Sequence, residues 1–442
     1  MLSRVPLFAL AAGAAALPAA GRGQGDLLAI RVGRAETIAN GTIEHAVLLV
    51  EDGKIAAIGQ DLPVERGIPV LDRPEWTVMP GLVHPYSRMG LEGRGASGFE
   101  PQLVPTRELY PLDPLYRDLL ERGVTTLGLY PAGTGVPGQA IVVRPQGEER
   151  AQMLLGEAAY LKVEFRADAR SKKMIRDAFD KVDDYVEKEK KAREKWEKDT
   201  EKAKKDAEKK KEGEKKEGEK KEGEKKEGEK KEGEQGAAPE EKKDEGPGPY
   251  VPPEPDAKVK PFMALRAKEL RALVALSSAA DYLHWLDAIE KEDFLWDLRL
   301  PLTRQADYFE IAAKLGERKV RLVMEPEISL QPGTMRQRNL PAELSRAGAR
   351  LVLIPRSDSV AAVESWLSSV GLIVATGLER QAALRAVTLE AAEVLGLAAR
   401  VGSLELGKDA NLIFFSGDPL EPSTRLEAVM LEGRFVKGEV KQ

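Results

Sequence analysis

Between residues 77 and 399, short apolar runs alternate with helix-patterned stretches, and no other feature restricts the fold as much. The runs fall at 77–79, 124–129, 140–143, 273–276, 298–300, 320–324 and 350–354. Helical patterns separate several of them, at 114–122, 306–315 and 359–369. A strand buried on both faces reads as a continuous apolar run, and strands alternating with helices pair in parallel through crossovers. Seven or eight such units predict an α/β fold, a (β/α)₈ TIM-like barrel rather than an open sheet.

The two ends of the chain carry a different pattern. Residues 27–58 alternate apolar and polar positions, and Asp52-Gly53 sits between two β-rich runs. That dipeptide suits a type I′ hairpin turn, whose two central residues both need positive φ. Near the C-terminus, Leu412-Ile-Phe-Phe415 and Ala428-Val-Met-Leu-Glu-Gly-Arg-Phe-Val436 repeat the style, with Glu432-Gly433 at the turn. Residues 26–76 and 400–442 are therefore expected to form one β-sandwich, around a barrel built from 77–170 and 257–399.

Residues 171–256 interrupt the alternation. A charged, helix-favouring stretch runs into five near-identical copies of Lys-Glu-Gly-Glu-Lys from Lys211 to Glu234. Glu201 to Glu245 holds 16 basic and 17 acidic residues and almost no apolar side chain. Such a balanced polyampholyte cannot offset its own ordering entropy, so a solvated helix fraying into a disordered loop is expected. Gly246-Pro-Gly-Pro-Tyr-Val-Pro-Pro-Glu-Pro255 then leads back into the fold.

The first 25 residues read as a signal peptide. Arg4 precedes an apolar run from Pro6 to Ala20, long enough for a secretory core and too short to span a bilayer. The mature chain is thus expected to be exported, periplasmic or secreted, with no membrane span. Sixty-eight basic against seventy-three acidic residues give no cationic excess, which argues against nucleic acid as a partner. Cysteine is absent, excluding disulfides, thiolate metal sites and a cysteine nucleophile. Histidine is reduced to three: His45, His84 and His284.

Thr77-Val-Met-Pro-Gly-Leu-Val-His-Pro-Tyr-Ser-Arg-Met-Gly90 resembles the first barrel strand of the amidohydrolase superfamily, in its imidazolonepropionase-like branch. That strand usually reads Pro-Gly-Leu-Ile-Asp-x-His-x-His-x-Gly. Val401-Gly-Ser-Leu-Glu-Leu-Gly-Lys-Asp-Ala-Asn-Leu412 and Gly417-Asp-Pro-Leu420 match the family's C-terminal signature, and Arg122-Gly-Val-Thr-Thr126 fits its second strand. The resemblance covers the chain outside the signal peptide and the charged insert. It implies a sandwich wrapped around a (β/α)₈ barrel and hydrolysis of amide-type, non-peptide C–N bonds at a metal centre. It also implies a protein that is often a homodimer.

Set against that family, the ligands are missing. Its chemistry needs divalent metal held by imidazoles and a carboxylate, which lowers the pKa of bound water. The first-strand histidines align with Tyr86 and Arg88, and arginine cannot ligate a cation. His84 stands where the family has aspartate. Leu276-Ser-Ser-Ala-Ala-Asp281 and Leu302-Thr-Arg-Gln-Ala-Asp307 are alternative counterparts of a His-x-His-Arg-Ala-Asp strand, and neither holds histidine. In Leu322-Val-Met-Glu-Pro326, Glu325 precedes proline in place of histidine. Asp358 aligns with the aspartate that binds metal and moves the proton, although an N-cap for the helix from Val360 is equally good physics. His45 and His284 read as structural. The resemblance also raises Lys162 as a carboxylated bridging lysine.

These residues support three readings. The leading one is an inactive homologue with no metal and no other cofactor, with His84, Tyr86, Arg88 and Glu325 as pocket residues, in which Arg88 and His84, with Lys162, would favour a small anionic ligand. The second is a working hydrolase with a non-standard site on Asp358, with zinc or another divalent metal as cofactor. The third is an interaction protein acting through its charged insert.

Overall fold

A computed structural model describes residues 27–93, 95, 98–221, 248–303 and 306–438, with main chain alone at 207–221. The expected signal peptide and the later Lys-Glu-Gly-Glu-Lys copies lie outside the described residues. The fold is mixed α/β.

Both ends of the chain join one seven-stranded sheet. Its order is Arg434–Lys437, Leu426–Leu431, Leu412–Phe415, Val70–Pro80, Leu27–Glu36, Thr42–Glu51 and Lys54–Gln60. The two hairpin turns form as their sequences demand, with φ of 50° and 78° at Asp52 and Gly53 and 46° and 79° at Glu432 and Gly433. They meet back to back. A Cβ on Gly53 would lie 2.8 Å from the Glu432 carbonyl oxygen, so only glycine fits there. The expected sandwich is instead a single sheet, because Val70–Pro80 pairs with both terminal sets. It runs parallel to Leu27–Glu36 and antiparallel to Leu412–Phe415. Ile30, Leu48, Leu412, Phe414 and Met430 form its own buried cluster.

The run at 77–79 therefore belongs to this outer sheet, and the first inner strand is Leu82–Ser87. Gly81 allows the inward turn: a Cβ there would stand 2.2 Å from Thr125 Oγ1.

The inner strands form two sets. One is ordered Leu154–Gly156, Ile141–Val143, Val124–Leu129, Leu82–Ser87. The other is ordered Arg350–Leu353, Arg321–Met324, Leu295–Arg299, Arg271–Ala275, Leu161–Glu164, Gly138–Gln139, its first five strands mutually parallel. Ala140 links the sets, donating to Tyr160 O and accepting from Ala159 N. Two expectations fail here. Ile141–Val143 runs antiparallel to Val124–Leu129, because the short link between them has no helix and a parallel return needs a crossover of a dozen residues or more. Among the described residues, no ladder joins Leu82–Ser87 to Arg350–Leu353, so the pairing does not close into a barrel.

The helix Ala169–Lys221 begins inside the core. Ile175, Ala178, Phe179 and Val182 are buried at helical spacing, so the solvated part starts about three turns later than the composition implies. Farther out, the proline-rich return lies along the helix. Trp196 Nε1 donates to Gly248 O, Tyr250 OH to Glu189 O and Tyr185 OH to Pro253 O.

Candidate functional site

The C-terminal ends of the inner parallel strands bring Asp358, His84, Tyr86, Arg88, Lys162 and Glu325 onto one face. Asp358 lies in the loop after Arg350–Leu353. It is not the helix cap: Ser359 caps the next helix by accepting from Ala362 N at 3.2 Å. The Asp358 carboxylate instead reaches back to the first inner strand. It accepts from Ser87 Oγ at 2.8 Å and from Arg88 N at 3.0 Å. His84 Nε2 stands 3.7 Å from its Oδ1, within ion-pair range and beyond a hydrogen bond. Burial acts to raise the Asp358 pKa. His84, the Ser87 hydroxyl and the Arg88 N–H outweigh it and hold the carboxyl below its usual range.

His84 is 1% exposed, packs against Trp366 at 5.8 Å between ring centroids, and neither ring nitrogen has a hydrogen-bond partner. Ser87 donates to the aspartate rather than to the histidine, so this trio lacks the nucleophile-to-base hydrogen bond of a catalytic triad.

Beside them, four side chains stack in a column. Lys162 Nζ lies 4.3 Å from the Tyr130 ring centroid, Tyr130 stacks on Tyr86 at 4.0 Å and 25°, and Arg299 Cζ lies 5.5 Å from the Tyr86 ring centroid. Each cation is held by an acid. Lys162 Nζ is 3.0 Å from Glu164 Oε1, and Arg299 pairs with Glu325 through both terminal nitrogens. Glu325 also accepts from Leu302 N at 2.9 Å. Burial above all raises both phenols, Tyr130 up to about 12 with Asp358 adding to the effect, so both stay neutral. Burial likewise pulls the Lys162 ammonium down, against the pull of Glu164.

Arg88 turns away from Asp358. Its guanidinium donates to Tyr130 O at 2.9 Å, Gly93 O at 2.8 Å and Glu108 Oε2 at 3.3 Å, pinning the 88–108 loop over this face. Arg88, Lys162 and Arg299 therefore each have an internal acidic partner. The sequence reading missed Tyr130, Glu164, Ser87 and Arg299. A usable signal existed for Arg299, a charged residue inside an apolar strand run. His45 is exposed in the outer sheet and His284 sits on the Ala279–Ala288 helix. Of the two histidine-free windows, one follows Arg271–Ala275 and the other Leu295–Arg299. Their aspartates serve the backbone: Asp281 accepts from Ala167 N and Ser277 N, Asp307 from Ala279 N.

Residues 306–441 match the amidohydrolase family. That match covers less than half of the chain, its C-terminal part. Among solved structures, an amidohydrolase from Thermotoga maritima superposes with a TM-score of 0.67 at 21% identity, covering 93% of this chain and all of the other. A β-aspartyl dipeptidase from Fervidobacterium islandicum, in complex with a β-Asp-Leu dipeptide, gives 0.51 at 13% identity, covering 94% and 97%. A Xaa-Pro dipeptidase with bound methionine gives 0.51 at 11%, covering 93% and 100%. These likenesses concern the fold. No curated protein matches the sequence.

Amidohydrolases usually hold metal, and the residues on this face do not fit it. Among the described residues, no three of the His, Asp and Glu side chains cluster as ligands. His84 and Asp358 are the only such pair at the aligned positions, and Lys162 and Arg299 flank the aromatic stack beside them. A divalent ion there would have one imidazole and one carboxylate as ligands, because Glu164 and Glu325 are already paired with Lys162 and Arg299.

Proposed function

We propose that this protein is an exported, non-hydrolytic member of the amidohydrolase superfamily. Its inner strands are read as a (β/α)₈ barrel whose seam is bridged by the Asp358 side chain instead of a ladder. The carrying observation is the Lys162–Tyr130–Tyr86–Arg299 column, which fills the strand-end face with neutral phenols and paired cations. A working site on Asp358, Glu325, His84 and Tyr86 would need Glu325 and Tyr86 free, and both are engaged. An anionic ligand would have to displace an existing ion pair, so this reading places none there. Export rests on the apolar run from Pro6 to Ala20.

The test is a hydrolysis screen of the purified mature chain on N-acyl amino acids and dipeptides, with zinc, manganese or cobalt added. Turnover at the level of the blank is expected. Turnover that disappears in Asp358→Ala would overturn the reading.

A further inference from the structure

On the inner face the carboxylates of Glu164 and Glu325 lie against the side-chain cations Lys162 and Arg299, with Asp358 beside them. We infer that Lys162 and Arg299, clamped by the Tyr130–Tyr86 stack, replace a bound divalent cation as the positive charge that this end of the fold requires. The inference rests on the non-hydrolytic reading and adds to it a built-in substitute for the metal's structural role.

Three observations carry it. First, both cations are removed from water, Lys162 at 3% and Arg299 at 7% exposure, and a buried cation persists only against a nearby anion. Second, each has its own acid on the inner face, Glu164 at 3.0 Å for Lys162 and Glu325 in a two-nitrogen contact for Arg299. Third, each lies over an aromatic face, so the column binds the two charges from opposite ends of one stack. A packing plug would need no charge at either end. Apolar residues would fill the same volume at lower desolvation cost.

The test uses thermal unfolding of the full chain. Lys162→Met and Arg299→Met keep much of each side chain's apolar bulk and remove its charge, leaving Glu164 or Glu325 without its partner. Both variants should lose melting temperature by many degrees. Removing the stranded acid in Lys162→Met/Glu164→Gln and Arg299→Met/Glu325→Gln should restore most of the loss. Failure of acid removal to rescue overturns the inference and leaves a packing role. Arg299→Lys guards against simple misfolding: it keeps the charge, and should stay nearer the parent than Arg299→Met does. The proposed function fails separately, through hydrolysis by the parent.

Discussion

Asp358 accepts a 2.8 Å hydrogen bond from Ser87 Oγ across 271 residues of chain, where no ladder among the described residues joins Leu82–Ser87 to Arg350–Leu353. The family resemblance sets Asp358 against an aspartate used for chemistry. Here its second oxygen takes the Arg88 N–H, and the carboxylate works as a stitch between the first and last inner strands.

Asp358→Asn should therefore destabilise the protein, by about 1 kcal/mol once its partial exposure is discounted against the usual 1.5–3 for a charged hydrogen bond. The folded-state pKa of Asp358 is lowered, so its stabilisation is fully present above the unfolded value and is lost as pH falls through the folded one. Melting curves of parent and variant should differ at pH 7, begin to approach one another below about pH 4, and meet only once pH has fallen below the lowered folded-state value. A gap that persists at low pH would show that the ionised carboxylate is not what holds the seam.

The charged segment should divide sharply into a dispensable and an essential part. Deleting residues 200–246 leaves Trp196 on Gly248 and Tyr185 on Pro253, and even long flexible loops cost only about 0.6 kcal/mol per doubling of length. The melting temperature should hardly move. Phe179→Ala, three turns into the same helix, should cost about 3–5 kcal/mol, because Phe179 is 3% exposed and packs on Phe262 and Phe294. Chemical denaturation of the two variants checks both values.

The alternation of apolar runs and helices made the α/β class legible, and the two Asp/Glu-Gly turns placed both termini in one β unit. The position of the seam was not legible. Whether Leu82–Ser87 and Arg350–Leu353 pair depends on long-range geometry, and local pattern carries no trace of it. Composition also hid the docked start of the long helix, since four apolar positions among many charges leave the average polar. Alignment to the family's ligand positions found Asp358, Tyr86 and Arg88, and Glu164 was legible two residues beyond Lys162 on one strand, while Tyr130 enters through a neighbouring strand that one sequence does not reveal. The cap assigned to Asp358 belongs one residue later, to Ser359, a difference that hydroxyl and carboxylate cap propensities cannot resolve.

Restoring the missing histidines should show what the column does. Tyr86→His/Arg88→His puts imidazoles two residues apart at the C-terminal end of Leu82–Ser87, the second just past the strand. With Lys162 and Arg299 still in place, the double variant should bind zinc weakly. Adding Lys162→Gln removes a repulsion and should tighten zinc by about tenfold or more, given how strongly unit charges interact at low effective dielectric. Isothermal titration reads the difference, and equal affinities with and without Lys162 would remove that lysine from the account.

Zinc stoichiometry of the unmodified chain bears most directly on the claim that the superfamily's metal centre has been replaced by side chains. The purified protein would be dialysed to equilibrium against micromolar zinc and its metal content measured by plasma mass spectrometry. Far less than one zinc per chain, unchanged by Asp358→Ala, is the expected result. About one zinc per chain, lost in Asp358→Ala or His84→Ala, would contradict it.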